Sequence, residues 1–352
     1  MWNPVEQYRQ RRARRRFVPR KPRVGVGTTA KLSVVALVLI LAVAAVLEMR
    51  GGGTAERALV PYAEEAHVAP ADLIATAGRR HRLVVLGDVP GAAAPKQLAA
   101  RAVQVLVETS GLDALVVEVP ADEQPYLDQY FLTRPEDPAI LISRPRAVRE
   151  AEGVSRDYLE LYRTVWRANE ALGPDRAIRV IAADLPSWPP QRGTAPNRAG
   201  TLYGERDAFM VARVDSLLLG RNSRARALFF MDGLHALRGG AALQSGGTGL
   251  VSITWLAQRL EERYPGDVYS IAVDASAGRV VPPAVVAWRG TGAWDVLRNG
   301  VPGAPRSFGL RVTDAFDPIG APVRVAAVPG TTFSLQPGGQ LRELVNGYIL
   351  LN

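Results

Sequence analysis

The chain has 352 residues, enough for one large domain or two small ones, and its 47% hydrophobic content is that of a globular protein. The net charge of +9 comes from residues 1–31, which hold ten Lys and Arg and one acid, while the remaining residues hold 33 basic and 33 acidic side chains. A balanced folded part gives no reason to expect nucleic-acid binding. The absence of cysteine excludes disulfides and thiolate metal sites.

The N-terminal region predicts a membrane anchor. Residues 1–31 are typical of a solvated basic tail, and Leu32 to Leu47 are sixteen residues without a charge. At ~1.5 Å per residue this stretch spans roughly 24 Å, and the uncharged residues 24–30 can extend it. The charge asymmetry predicts a cytoplasmic tail at 1–31 and a single-pass signal anchor at 32–48 in the inner membrane, with the main domain extracytoplasmic. Ala42-Val43-Ala44 leaves a cleaved signal peptide as the alternative.

Residues 49–80 predict a juxtamembrane linker and a short lead-in helix, followed by one domain over 81–352 with its core at 81–275. In that core, apolar strands alternate with helices, which predicts an α/β fold with a doubly wound, mostly parallel sheet flanked by helices. The predicted strands are Leu83–Leu86, Leu112–Val119, Ile178–Ala183, Ala227–Met231 and Val268–Val273. The predicted helices include Leu98–Thr109, Ser155–Leu172, Glu205–Leu219 and Leu250–Tyr264, with a loop at Leu185–Gly204. Short apolar runs after residue 276 predict added strands that complete the domain.

A polar residue follows each of four predicted strands. Ligands lie beyond the carboxyl ends of parallel strands, so we expect these side chains to meet in one cleft. The four residues are Asp88, Glu118, Asp184 and His235, and the helix at 205–219 adds Arg206 and Asp207. A single acid at a strand end is commonly a helix cap, and the functional interpretation rests on the recurrence at four ends.

These side chains could support hydrolysis. His235 could remove a proton from water, because its ordinary pKa lies near neutrality. Glu118 could orient that imidazole or act as the base after desolvation, and Arg206 could stabilise negative charge on a substrate oxygen. Asp88 could instead join Glu118 and His235 in holding a divalent metal.

Several short motifs follow one another along the core: VVLGDVPG, LVVEVP, VIAADLP, ERDAFMVARV, FFMDGLHALRG and DVYSIAV. In this order and spacing, residues 81–275 resemble the EreA/ChaN-like superfamily, which includes erythromycin esterases, haem-uptake ChaN-like proteins and the Tiki metalloproteases. The resemblance implies the same α/β fold. It also implies that Glu118, Arg206, Asp207 and His235 occupy positions of the family's site.

The first-strand motif departs from the family pattern. The family has Glu where this chain has Asp88, and the family's first histidine is missing, since the Pro90 region takes its place. His81 begins the same strand, about 17–20 Å from its tip, and cannot substitute.

Two functions therefore stay open, and whether the chain is an enzyme is not decided by its sequence. One is a hydrolase of ester or peptide bonds with catalytic residues His235, Glu118, Asp88 and Arg206, and with Asp184 and Asp207 in the cleft. The other is a catalytically lapsed module that binds a small molecule, a peptide or a protein partner. Haem is one such ligand, for which His235 and Tyr203 are the candidate axial groups. Divalent metal and haem are both compatible with the sequence, and neither is required. A third interpretation treats the polar strand ends as caps and loop contacts.

Overall fold

The computed structural model describes residues 58–149, 155–186, 188, 196–239, 241–245, 249–275, 297, 301, 303–319, 323–326, 332–337 and 341–352. Residues Gly51–Asn352 form one compact unit. The predicted tail at 1–31 and anchor at 32–48 lie outside the described residues. Within the described ranges, no helix has both the length and the apolar character needed to cross a bilayer.

The domain is built on a mostly parallel sheet, as predicted. The described strands, in chain order, are β1 (Leu83–Asp88), β2 (Ala114–Pro120), β3 (Arg179–Asp184), β4 (Ala227–Asp232), β5 (Ala241–Ser245), β6 (Gly249–Ile253), β7 (Val268–Ala275), β8 (Phe308–Arg311), β9 (Val323–Ala326), β10 (Thr332–Pro337) and β11 (Gly347–Leu351). Seven of them form a sheet in the order β3-β2-β4-β1-β7-β11-β8, in which β8 is antiparallel to β11 and the other pairings are parallel. Strands β1 and β2 are buried throughout, as expected for parallel strands covered on both faces.

Helices cover both faces of this sheet. They are α1 (Pro70–Arg80), α2 (Ala93–Thr109), α3 (Gln124–Leu132), α4 (Ala139–Ile142), α5 (Ser155–Leu172), α6 (Pro196–Val214), α7 (Leu256–Arg263) and α8 (Leu341–Leu344). Along β1, Val84 and Leu86 pack in the cluster that α1, α2 and α5 complete, whereas Leu83 and Val85 pack in the cluster of α6 and α7. This alternation sends successive side chains at the strand tips to opposite faces.

The lead-in region packs into the domain. A further helical segment at 58–66 buries Leu59 and Ala63 completely, in the same cluster as residues of β8 and β11. The part of the predicted 49–80 linker that the structure describes is therefore folded against the core.

Two predicted elements are wrong in detail. The helix predicted over Leu250–Tyr264 begins only at Leu256, because residues 249–253 form β6, which pairs with β5 in an antiparallel sheet of order β6-β5-β10-β9. Val251 and Ile253 are β-branched, and a short apolar run is ambiguous until its partner strand is known. Residues 196–204 of the predicted Leu185–Gly204 loop instead belong to α6, which begins at Pro196, and proline is well suited to a first helical turn.

Side chains protect the free edge of the sheet at β3. Asn169 donates to the carbonyl oxygen of Ile178 at 3.0 Å and accepts that residue's N–H at 2.7 Å. Gln124 does the same further along the strand, donating to Val180 O and accepting from Ala182 N, both at 2.8 Å. Two amide side chains thus form hydrogen bonds with backbone groups that could otherwise pair with another strand.

Candidate active site

The carboxyl ends of the strands bring charged groups together. Asp88 and Asp184 are the last residues of β1 and β3, and Glu118 lies two residues before the end of β2. Helix α6 lies over the same end of the sheet and contributes two side chains from its interior, not from its first turn, because it begins at Pro196. The predicted site residues are all at most 5% exposed: Asp88, Glu118, Asp184, Arg206, Asp207 and His235.

Arg206 is the centre of the larger cluster. Its Nε and Nη2 donate to Oδ1 and Oδ2 of Asp184, each at 2.6 Å, and Nη2 also donates to Oε1 of Glu118. Its guanidinium carbon lies 4.1 Å from the ring centroid of Trp188. Burial opposes the charge, but the two carboxylates outweigh burial and raise the pKa of Arg206. The guanidinium plane is thereby fixed by a bidentate ion pair and an aromatic face.

Glu118 is held as a carboxylate. Its Oε2 accepts the N–H of Asp232 at 2.7 Å and lies 3.3 Å from Nη1 of Arg149. Burial would raise its pKa, but the charges of Arg206 and Arg149 outweigh burial and hold the pKa well below its usual range. Arg149 has a φ of 49°, in the left-handed region that non-glycine residues rarely adopt, and also donates to the carbonyl oxygen of Glu118 at 2.8 Å. The acid therefore stays ionised and fixed.

His235 is ion-paired with Asp207. Its Nδ1 lies 2.8 Å from Oδ1 of Asp207, whose Oδ2 accepts the N–H of Leu256 at 2.6 Å. Its Nε2 lies 3.2 Å from Nη1 of Arg206 and 3.7 Å from Oε1 of Glu118. Burial would lower the pKa of His235, but Asp207 and Glu118 outweigh burial and raise it to about 10. The ring is thus protonated at neutral pH.

Asp88 belongs to an adjoining cluster on the other face. Its Oδ1 accepts from Nζ of Lys96 at 2.7 Å, and its Oδ2 accepts from the hydroxyl of Tyr158 at 3.1 Å. Lys96 is fully buried. Among the described residues, these contacts tie the carboxylate to α2 and α5, and not to Glu118 or His235. Arg149 lies between the clusters, since it pairs with Glu118 and its guanidinium carbon is 5.8 Å from the Tyr158 ring centroid.

Asp232 is a site residue that the sequence interpretation missed. It ends β4 in register with Asp88 of β1, and it is partly exposed. Its Oδ1 accepts the N–H of Leu234 at 3.0 Å. Burial and the charge of Glu118 raise the pKa of Asp232 to about 6, although the charge of His235 opposes them. The pattern used for the other site residues, a polar residue directly after an apolar strand, was present, because Asp232 directly follows the apolar run Ala227–Met231. Lys96 and Arg149 do not follow such a run.

Among the described residues, the donor set does not fit a resident metal ion. In the described part of the chain, no group of three or more His, Asp or Glu side chains is arranged to hold a metal ion. The three residues considered for a metal are instead paired with protein groups: Asp88 with Lys96, Glu118 with Arg206, and His235 with Asp207. Both ring nitrogens of His235 face such groups, and the side chain of Tyr203 lies outside the described part.

Comparison with known proteins finds solved structures of similar fold. No family model matches the sequence, and no curated protein matches it. Three solved structures align over most of both chains. A variant of erythromycin esterase EreC in its open conformation has 13% identity and a TM-score of 0.56, covering 80% of this chain and 92% of that one. A protein from Bacillus cereus has 12% identity and a TM-score of 0.57, covering 83% and 96%. A succinoglycan biosynthesis protein has 10% identity and a TM-score of 0.58, covering 84% and 97%. At these identities the likeness concerns the fold alone, and the domain shares the fold of these three proteins.

Proposed function

We propose that the domain is a hydrolase of ester or peptide bonds, with its site at the strand tips around His235. The observation that carries the proposal is the buried Asp207–His235 pair next to the Arg206 guanidinium. An imidazole ion-paired with a carboxylate, beside a fixed cation, supplies a proton-transfer group and a positive charge for a developing oxyanion. The solved erythromycin esterase of the same fold is consistent with this reaction class.

The free-energy cost of burying these charged side chains supports a role beyond stability. Removing charges from water costs several kcal/mol per ion in real proteins, and apolar side chains of similar volume often give an equally stable core. Arg206 and Lys96 are nonetheless buried together with their carboxylate partners. A network that stability does not require is expected where charges must be held ready for a reaction or a ligand.

We assign roles from the protonation states. His235 has a raised pKa, so in this proposal its ring donates a proton to the leaving group and is not the base. Arg206 stabilises the negative charge that develops on the substrate oxygen, and Glu118 fixes both side chains. Asp88 and Asp184 hold the tips of β1 and β3 through Lys96 and Arg206.

Turnover by a His235→Asn variant tests the proposal. Full-length protein would be assayed against aryl esters and short peptides, with His67→Asn as a matched control far along the chain from the site. We expect His235→Asn to lower kcat/KM by about 100-fold or more, because the proton donor is lost, and His67→Asn to leave it unchanged. Equal turnover by the wild type and His235→Asn would contradict the assignment.

A lapsed binding module is the second candidate. The observation in its favour is that Asp88, the counterpart of the family's first-strand acid, is neutralised by Lys96. On this proposal, a small molecule or peptide raises the melting temperature of the wild type, and less so of His235→Asn, with no product formed. Ligand-dependent stabilisation together with product formation would favour the hydrolase.

We further propose that residues 32–48 anchor the protein in the inner membrane, with residues 1–31 cytoplasmic and the domain extracytoplasmic. The uncharged run of Leu32–Leu47 behind a basic tail supports this orientation. Deleting residues 32–48 should release the protein from membrane fractions. A mature chain that begins near Ala44 would instead establish a cleaved signal peptide.

A further inference from the structure

A hydrolytic site needs a group that accepts a proton from water, and most acids at the strand tips are unsuited to it. Glu118 and Asp184 are buried and bonded to Arg206. Asp207 is buried against His235, and Asp88 is buried against Lys96. Each of these carboxylates would lose an ion pair on accepting a proton.

Asp232 differs in its surroundings. Of the strand-tip carboxylates described above, it is the partly exposed one. Its Oδ1 accepts the N–H of Leu234, while its Oδ2 receives no hydrogen bond from the described residues. One carboxylate oxygen is thus fixed by its own turn and the other is available to a water molecule.

The backbone of Asp232 ties it to the rest of the site. Its N–H donates to Oε2 of Glu118 at 2.7 Å, and its carbonyl oxygen accepts the N–H of His235 at 2.9 Å. It lies beside Asp88 in the sheet register. A substrate that contacts the carboxylate of Asp232 therefore lies over the turn that leads to the imidazole.

We propose that Asp232 is the proton acceptor of this site, a catalytic residue that activates the attacking water. The inference rests on the proposed hydrolase function. Water attacks the carbonyl carbon as its proton passes to Oδ2 of Asp232, which gives a tetrahedral intermediate with negative charge on the former carbonyl oxygen. The bond to the leaving oxygen or nitrogen then breaks as His235 supplies a proton to it. The proton on Asp232 returns through solvent to His235, so that one water is consumed and an acid and an alcohol or amine are released.

The charges around Asp232 suit this role. Glu118 and burial favour its protonated form, whereas His235 and Arg149 favour the carboxylate. Asp88 also lies beside it, with its charge balanced by Lys96. The resulting pKa of about 6 leaves Asp232 ionised at neutral pH and yet basic enough to accept a proton.

The test compares Asp232→Asn and Asp232→Glu with Asp175→Asn, which removes an exposed carboxylate elsewhere in the domain. We expect the kcat/KM of the wild type to fall as pH drops below about 6, where Asp232 becomes protonated. Asp232→Asn should lower kcat/KM by about 100-fold and remove this pH dependence. Asp232→Glu should restore part of the rate together with this pH dependence, and Asp175→Asn should behave as the wild type. Wild-type turnover that Asp232→Asn leaves unchanged, with the same pH profile, would overturn the inference while the proposed function stands.

A second measurement separates the two proposals when the wild type turns over no substrate, an outcome that would overturn the hydrolase proposal. Full-length protein would be treated with a water-soluble carbodiimide and an amine, which modify accessible protonated carboxyls, and the labelled positions would be read by mass spectrometry. Labelling of Asp232 that falls as pH rises through about 6, with Asp88 and Asp184 unlabelled, would support Asp232 as the proton-exchanging group of the tips. Asp232 that stays unlabelled down to pH 5 would overturn the inference.

Discussion

Nε2 of His235 lies 3.2 Å from Nη1 of Arg206. A guanidinium can only donate, so this contact is a hydrogen bond when Nε2 carries no proton. The same nitrogen lies 3.7 Å from Oε1 of Glu118, which is beyond hydrogen-bond distance but within ion-pair distance when the ring is protonated. Without rotating, the ring therefore has a hydrogen-bond donor facing Nε2 when it is neutral and a nearby carboxylate charge when it is protonated. Such a position suits a group that gives up a proton and later regains it.

The raised pKa of His235 predicts a loss of stability at alkaline pH. Its folded-state pKa of about 10 exceeds the ordinary histidine value of 6.5, so its stabilising contribution is fully present below pH 6.5 and is lost as pH rises through 10. We expect the free energy of unfolding of the wild type to fall by roughly 2–4 kcal/mol more than that of His235→Asn between pH 6.5 and 10. Urea unfolding at several pH values measures both slopes. Parallel slopes would show that the imidazolium is not stabilised by Asp207.

The buried Lys96–Asp88 pair predicts a large and recoverable loss of stability. Lys96→Met leaves the Asp88 carboxylate buried, with the Tyr158 hydroxyl as its remaining side-chain partner among the described residues, and should cost about 3–5 kcal/mol. The double variant Lys96→Met/Asp88→Asn removes both charges and should recover most of that loss. Urea unfolding of the two single variants and the double variant gives the coupling energy between them.

Arg134 and Glu170 supply the control for this comparison, because their ion pair is 40% and 44% exposed. Truncating either partner there should cost less than about 1 kcal/mol. If the buried and exposed pairs showed the same small coupling, Lys96 would not be neutralising Asp88 in solution.

The sheet was largely predictable, because its strands are short apolar runs that end in polar residues. For this reason the prediction placed Asp88 and Asp184 at strand ends, and β1 and β4 differ from the predicted strands by only one or two residues at their carboxyl ends. The antiparallel sheet was not predicted. Its strand β6 is a short apolar stretch, and the periodicity of such a stretch fits a helix and a strand about equally well.

The basic residues that pair with the site carboxylates were harder to predict than the carboxylates themselves. Lys96 pairs with Asp88 across eight residues, and Arg149 reaches Glu118 across 31 residues from the stretch that precedes α5. A basic residue in such a position is usually solvated, so only the packing of α2 and α5 on the sheet shows that these two are buried or half-buried. Asp232 was missed for another reason: His235, three residues later, offered the more familiar chemistry.

Glu118 predicts a second stability effect, at acid pH. Because its folded-state pKa lies well below its usual value, its contribution is present above the unfolded pKa and is lost as pH falls through the folded one. Glu118→Gln keeps the shape and an acceptor for the Asp232 N–H, but it removes the negative charge that faces Arg206 and Arg149. We expect a loss of about 3 kcal/mol at pH 7 that shrinks at low pH. Unfolding curves at pH 7 and pH 3 measure this, and a constant difference would argue against an ionised Glu118.

The side-chain clamp on β3 predicts that Asn169 guards the sheet edge. Asn169→Ala removes the amide that donates to and accepts from Ile178, which leaves two buried backbone groups without that partner. The loss should be about 1–3 kcal/mol, and an opened strand edge should promote association between copies. Gln97→Ala, which removes an exposed helical amide, is the matched control and should do neither. Urea unfolding and light scattering over a range of protein concentrations measure the two effects. A destabilised Asn169→Ala that stays monomeric would show that Gln124 and the neighbouring helices suffice to block the edge.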